Sequence, residues 1–247
     1  MKYLLIIALI AVSTVAKAFA CDSTVLAMLT GTSKQQRATT QLLAVTQKLQ
    51  IEGNNLNAFN IAAAKNMHNE VMQNWLQIAS EITVNPPVEE KHKKDFSDLM
   101  IIISRDLGKV RRIMNASGTP YIHENIEATI TRISMLGAII NNSEKTWDFL
   151  TIELALYGPR PLFGELEKTR KATGDLEFAN VLKPIENIEN TKSMQSELVK
   201  EYKAYQTMLA SETEKVSQKT FAKYQDCLNL FVKIKQQLLA DKYFEKA

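Results

Sequence analysis

The sequence predicts an all-α protein: an antiparallel helical bundle followed by a long, coiled-coil-like C-terminal helix or helix pair. Three observations carry this. Apolar residues recur at steps of three and four along most of the chain, as on one face of a helix. No stretch alternates apolar and polar residues long enough to argue for a strand. All 8 glycines and all 6 prolines lie before Ile185, so turns punctuate the front of the chain and not its rear.

Taken in order, a first helix is expected from about Ser33 to Ile51, with Leu42, Val45 and Leu49 on one face and Gly53 at its end. A second follows the stripe Leu56, Phe59, Ala63, Met67, Val71, Trp75, Ile78, Ile82. Asn54-Asn55 can cap its start, and Asn85-Pro86-Pro87 stops it. A third carries Phe96, Leu99, Ile103, Leu107, Val110 and Met114, and ends in the turn cluster Asn115–Pro120. A fourth reads Ile122, Ile126, Ile130, Ile133, Gly137, Ile140; Asn141-Asn142-Ser143 then breaks or kinks the chain before Trp147, Leu150 and Leu154. Tyr157-Gly158-Pro159-Arg160-Pro161-Leu162-Phe163-Gly164 excludes regular helix. It reads as a connector between a front bundle, 21–157, and a rear helical segment, 165–247, of one all-helical unit. Its alternative reading is an exposed aromatic loop that touches a partner through Tyr157, Arg160 and Phe163.

Behind Pro184 the seam runs Ile185, Ile188, Leu198, Tyr202, Tyr205, Leu209, then Tyr224, Cys227, Phe231, Ile234, Leu238. Both halves show the 4-3-4 spacing of a helix packed along a partner. Between them Ser211–Lys219 offers only Val216 to a core, and continued seam positions fall on Glu212 and Lys219. A single helix from Ile185 to Tyr243 would be about 88 Å long at 1.5 Å per residue, roughly twice the 45 Å width of a compact body of this size. The absence of any turn residue favours such an elongated form, with a bend allowed at Ser211–Lys219. The missing apolar seam favours a fold-back.

Residues 1–20 read as a signal peptide. Lys2 precedes the apolar run Tyr3–Val12, which is too short to span a bilayer, and Ala18-Phe19-Ala20 places small residues at the −3 and −1 positions of a cleavage site. The expected mature chain, 21–247, is therefore secreted or periplasmic, with no transmembrane segment left after cleavage. Cys21 has three readings: a disulfide with Cys227, the only other cysteine; a lipid-modified lipoprotein terminus, although Ala18 stands where a lipobox usually has Leu; or a free thiol. Export also makes the sequons Asn115-Ala116-Ser117 and Asn141-Asn142-Ser143 conceivable glycosylation sites, although two such matches are about what this composition yields by chance.

Composition excludes some partners. Setting aside Lys2 and Lys17 leaves 28 basic against 27 acidic residues, a net +1, so nothing electrostatic recommends nucleic acid. The basic runs Lys91, Lys93, Lys94 and Lys109, Arg111, Arg112 are interleaved with acids, as on a wet helix face. No phosphate-cradling glycine loop, nucleophile elbow or zinc helix occurs. Of the histidines, His92 closes the one Glu-x-x-His, Glu89–His92, where a di-iron bundle needs two. Met67-His68 with Met72 is a thin case for copper, and methionine as gap-filler is the plainer reading. The third histidine, His123, stands outside any motif.

No enzyme, cofactor or metal is therefore expected. The expected function is an exported, non-catalytic helical module that binds another protein or self-associates. The alternative is a bundle holding a small apolar ligand in a cavity among Phe59, Trp75, Phe96 and Trp147. In general architecture the chain is similar to accessory components of bacterial envelope machines, such as the minor pilins of type IV secretion systems. It is equally similar to many helical secreted proteins of animals and parasites.

Overall fold

The structure is a computed structural model, describing residues 24–29, 33–116, 122–157, 166–174 and 176–245. The leader, Cys21, Ser117 and the 158–165 segment with Arg160 and Phe163 lie outside the described residues. Those described form ten α-helices and no strand, so the fold is all-α. They are α1 (Thr24–Ala27), α2 (Ser33–Asn57), α3 (Ile61–Val84), α4 (Lys93–Asn115), α5 (Ile122–Ile140), α6 (Glu144–Tyr157), α7 (Leu166–Gly174), α8 (Phe178–Val181), α9 (Lys192–Ser211) and α10 (Gln218–Ala240). None is long and apolar enough to cross a membrane. Two compact units divide the chain: residues 1–150 with 244–247, and residues 151–243.

In the first unit α2, α3, α4 and α5 form an antiparallel four-helix ring, each helix packed on two others. Cross-links fix the levels: the Trp75 indole donates to Ser104 Oγ at 2.9 Å, Arg132 pairs with Asp106 at 2.5 Å, and Gln35 donates to the Ile140 carbonyl at 2.7 Å. The expected faces of α4 and α5 are buried as read, from Phe96 to Met114 and from Ile122 to Ile140. At Gly137 on α5 an added Cβ would meet Leu26 Cδ1 of α1 at 2.2 Å, so that leucine would have to shift. On α6 the buried side chains within this unit are Thr146, Phe149 and Leu150, whereas Trp147 is half-buried.

The first hairpin corrects the sequence reading. Gly53 is buried inside α2, which runs on to Asn57, and α3 starts only at Ile61. Its cap is Asn60, whose side chain accepts from the Ala63 N–H, and not Asn54-Asn55. The buried stripe therefore enters α3 one residue later than expected, through Ala64 and His68 in place of Ala63 and Met67, and rejoins the expected positions at Val71. Phe59, expected in the core, stands 87% exposed in the turn.

In the second unit α9 and α10 form an antiparallel pair, so the single elongated helix is also corrected. The chain turns back at residues 212–217 without glycine or proline. Tyr202, Tyr205, Leu209, Tyr224, Cys227, Phe231, Ile234 and Leu238 are all buried in the seam, as the spacing predicts. Polar side chains make the turn. Arg170 of α7 donates to the Leu209, Ala210 and Glu212 carbonyls that α9 leaves open. Glu212 accepts from the Ser217 N–H at 3.0 Å and from the Ser217 and Thr220 hydroxyls, closing the start of α10. Those bonds hold the Glu212 carboxyl below its usual range.

Candidate functional site

The turn between α2 and α3 is built from unusual material. The Phe59 N–H bonds to the Leu56 carbonyl and the Asn60 N–H to the Asn55 carbonyl at 2.8 Å, the double closure of a helix that ends on a left-handed residue. That residue is Phe59, at φ 56°. Glycine favours such a position; a β-carbon in it costs about 1–2 kcal/mol. The chain thus carries a strained backbone that also presents a phenyl ring to solvent. Ile51 of α2, Leu76 and Val84 of α3 and Ile101 of α4 are exposed as well. The helical stripe in the sequence hid this, because Phe59 sits at a core-compatible spacing and no local glycine marks the turn.

One and a half to two turns inside the same hairpin lies a buried ionisable pair. Glu52 and His68 are 0% and 1% exposed, and His68 Nδ1 lies 3.1 Å from both carboxylate oxygens. Desolvation pushes the Glu52 carboxyl above its ordinary range, against the pull of His68. His68 Nε2 is buried with no hydrogen-bond partner among the described residues. Of the residues in the copper reading, His68 is buried with Nδ1 against Glu52, and Met67 and Met72 are half-buried. Among the described residues no group of three His, Cys, Asp or Glu side chains is placed to hold a metal ion.

A pocket of about 170 Å³ opens where α4 and α6 begin, lined by His92, Asp95, Ala138, Ile139, Trp147 and Asp148 with the 142–144 turn. Burial and the neighbouring Glu144 charge push the Asp148 carboxyl up. Asp95 and Glu144 each occupy the first turn of a helix, where an acid stabilises the N-terminal dipole. Lys91 pairs with Glu89 and Glu144 across this rim. Of the four aromatic residues expected to line an apolar cavity, only Trp147 reaches the pocket; Trp75 and Phe96 are core.

In the second unit Phe178 stacks on Tyr202 at 4.6 Å, Tyr202 meets Tyr205 at 5.9 Å, and Tyr205 meets Tyr224 at 5.4 Å. Cys227 is buried beside them, and burial pushes its thiol up to about 12. Such a thiol is not a nucleophile near neutrality. Tyr157, the one described member of the expected contact trio, is half-buried with its hydroxyl 3.4 Å from Glu153. Glu153 in turn receives the buried Lys235 ammonium at 3.1 Å. Of the two sequons, Asn115 is exposed, whereas Asn141 is buried and its side-chain nitrogen donates to Thr39 Oγ1 and the Gly137 carbonyl, each at 2.8 Å. That nitrogen is the atom a glycan would need.

No protein-family model matches the chain, and neither a characterised protein nor a solved structure matches it.

Proposed function

We propose that the chain is an exported, non-catalytic helical protein that acts by binding another protein, with Phe59 at the tip of the α2–α3 hairpin as the contact. The observation that carries this is the exposed phenyl ring on a left-handed residue where glycine would be more stable. Strain retained at an exposed position is commonly a functional investment. Aromatic side chains, phenylalanine among them, are also enriched at protein interfaces. Export rests on the leader-like residues 1–20, with Cys21 disulfide-bonded to Cys227, lipidated or free in the mature chain. Service in a bacterial envelope or secretion apparatus is a narrower form of the same reading. Tyr157, Arg160 and Phe163 are a second candidate contact, and self-association is a further form of the interaction.

A photo-crosslinking phenylalanine analogue placed at position 59 tests the tip. A discrete partner crosslinked at 59 and not at Ala62, and lost on competition with the wild-type chain but not with Phe59→Gly, is the expected result. Equal competition by Phe59→Gly removes the tip from the interface. The mass of the protein purified from its own source tests export, a chain beginning at Cys21 being expected. The second reading, a small ligand held between helices, has the pocket beside Trp147 in its favour. Saturable quenching of Trp147 by an apolar probe, in a Trp75→Phe background, would favour it.

A further inference from the structure

We propose that Glu52 and His68 form a proton-holding latch that makes the turn end of the α2–α3 hairpin more stable in mild acid than above neutrality. The inference stands independently of the role of Phe59. A proton lies in the contact, because a bare ring nitrogen facing two carboxylate oxygens at 3.1 Å would repel them; a neutral ring with its proton on Nδ1 supplies one but leaves the pair with a net negative charge, and one further, titrating proton makes it net-neutral. With both side chains almost wholly buried, a net-neutral pair sharing one titrating proton is the form a dry interior tolerates. Removing that proton leaves an uncompensated buried carboxylate.

The unfolded chain behaves differently. A free glutamate ionises near 4.5 and a free histidine loses its proton near 6.5, so above about pH 6.5 the unfolded pair carries no titrating proton. Folding there takes one up. The contribution to stability is therefore complete below about 6.5 and is lost as pH rises, up to tenfold in the folding equilibrium per pH unit. Below about 4.5 the unfolded chain binds a second proton, which a buried pair resists, so the window closes again.

Other titratable groups stand near this level. The antiparallel register of α2 on α5, set by Thr39 with Asn141 and Gln35 with Ile140, brings Glu127 to within about a turn of the level of Glu52. Glu127 is buried and engaged in an interaction of its own. His123 and Glu124 stand about one turn before Glu127 along the same helix. On α4 the charged residues near this level, Lys109, Arg111 and Arg112, are exposed to solvent. On the hairpin itself Lys48 pairs with Glu70 at 2.7 Å on the outside and Lys65 is half-buried. α1 carries no titratable side chain.

The test is urea unfolding of the full chain at pH 6, 7 and 8, wild type against Glu52→Gln. Glutamine keeps the shape and accepts the ring N–H but cannot share a proton. With no carboxyl to share a titrating proton, the variant is expected to lack the slope of the latch. The expected result is a wild-type folding constant that gains up to tenfold per pH unit on the variant from pH 8 to 6.5. Parallel profiles overturn the proposal. Should the variant fail to fold, hydrogen exchange on the wild type decides. Amides of residues 48–56 and 64–71, corrected for intrinsic rates, are expected to gain protection from pH 8 to 6 relative to residues 37–45 and 74–81. Equal gains at both ends of the hairpin overturn the latch.

Discussion

Phe59 and Gly137 pose the same stereochemical question at opposite extremes. At Gly137 a β-carbon would press on the buried Leu26 side chain; at Phe59 a β-carbon is present where the backbone resists it. Phe59→Gly is accordingly expected to stabilise the first unit by about 1 kcal/mol, read as a higher urea midpoint with unchanged slope. A lower midpoint would mean that the ring is held by contacts in the folded chain. Residue-scale chemistry also governs Lys235 and Glu153. Lys235→Met leaves a buried carboxylate unpaired and is expected to cost about 3–5 kcal/mol. Adding Glu153→Leu is expected to recover most of that loss, because a packed apolar pair avoids the desolvation cost. Thermal unfolding of both variants checks the sign of the recovery.

At the scale of elements, the turn at 212–217 is a joint assembled by side chains from a distance. Arg170→Ala strips the guanidinium from three carbonyls and is expected to cost about 1–3 kcal/mol, measured in the unfolding of the second unit. Glu212 adds a pH signature. Because its carboxyl is held below 4.5, the stability it contributes is complete above the unfolded value and is lost as pH falls through the folded one. Glu212→Gln is expected to flatten the acid limb of the stability profile, and an unchanged limb would remove Glu212 from the joint. This element also shows what the sequence could reveal. The seams 198–209 and 224–238 were legible because helical spacing is local. The fold-back was not, because its strongest donor is Arg170, about 40 positions earlier, and no residue in 212–217 forbids a helix. The gap in the seam, polar Glu212 and Lys219 at expected apolar positions, was the one available signal. At the first hairpin the error was of the opposite kind: Gly53 suggested a terminus that packing overrode, and the stripe ran straight through Phe59. His68 fell one residue off that stripe, so nothing in the sequence joined it to Glu52.

For the molecule as a whole, the chain divides into two compact units, residues 1–150 with 244–247 and residues 151–243, each contributing buried core residues. The second keeps its single cysteine in that core. In the folded chain Cys227 is expected to resist iodoacetamide at pH 8 and to react fully in denaturant after reduction. Rapid labelling of the folded chain would contradict its burial. Labelling in denaturant only after reductant would instead reveal the bond to Cys21. The joint at 212–217 carries one consequence for populations of molecules. Its residues are ordinary helix formers, so a chain deprived of Arg170 and Glu212 can straighten across the joint and pair its α10 with the α9 of a second copy. The same seam is then satisfied between two chains instead of within one, which is the condition for domain swapping. Arg170→Ala combined with Glu212→Ala, refolded at high concentration, is expected to yield an added dimer by light scattering that persists on dilution, while the wild type shows no such gain under the same treatment. The two side chains that close the turn would then be what keeps α10 in its own molecule.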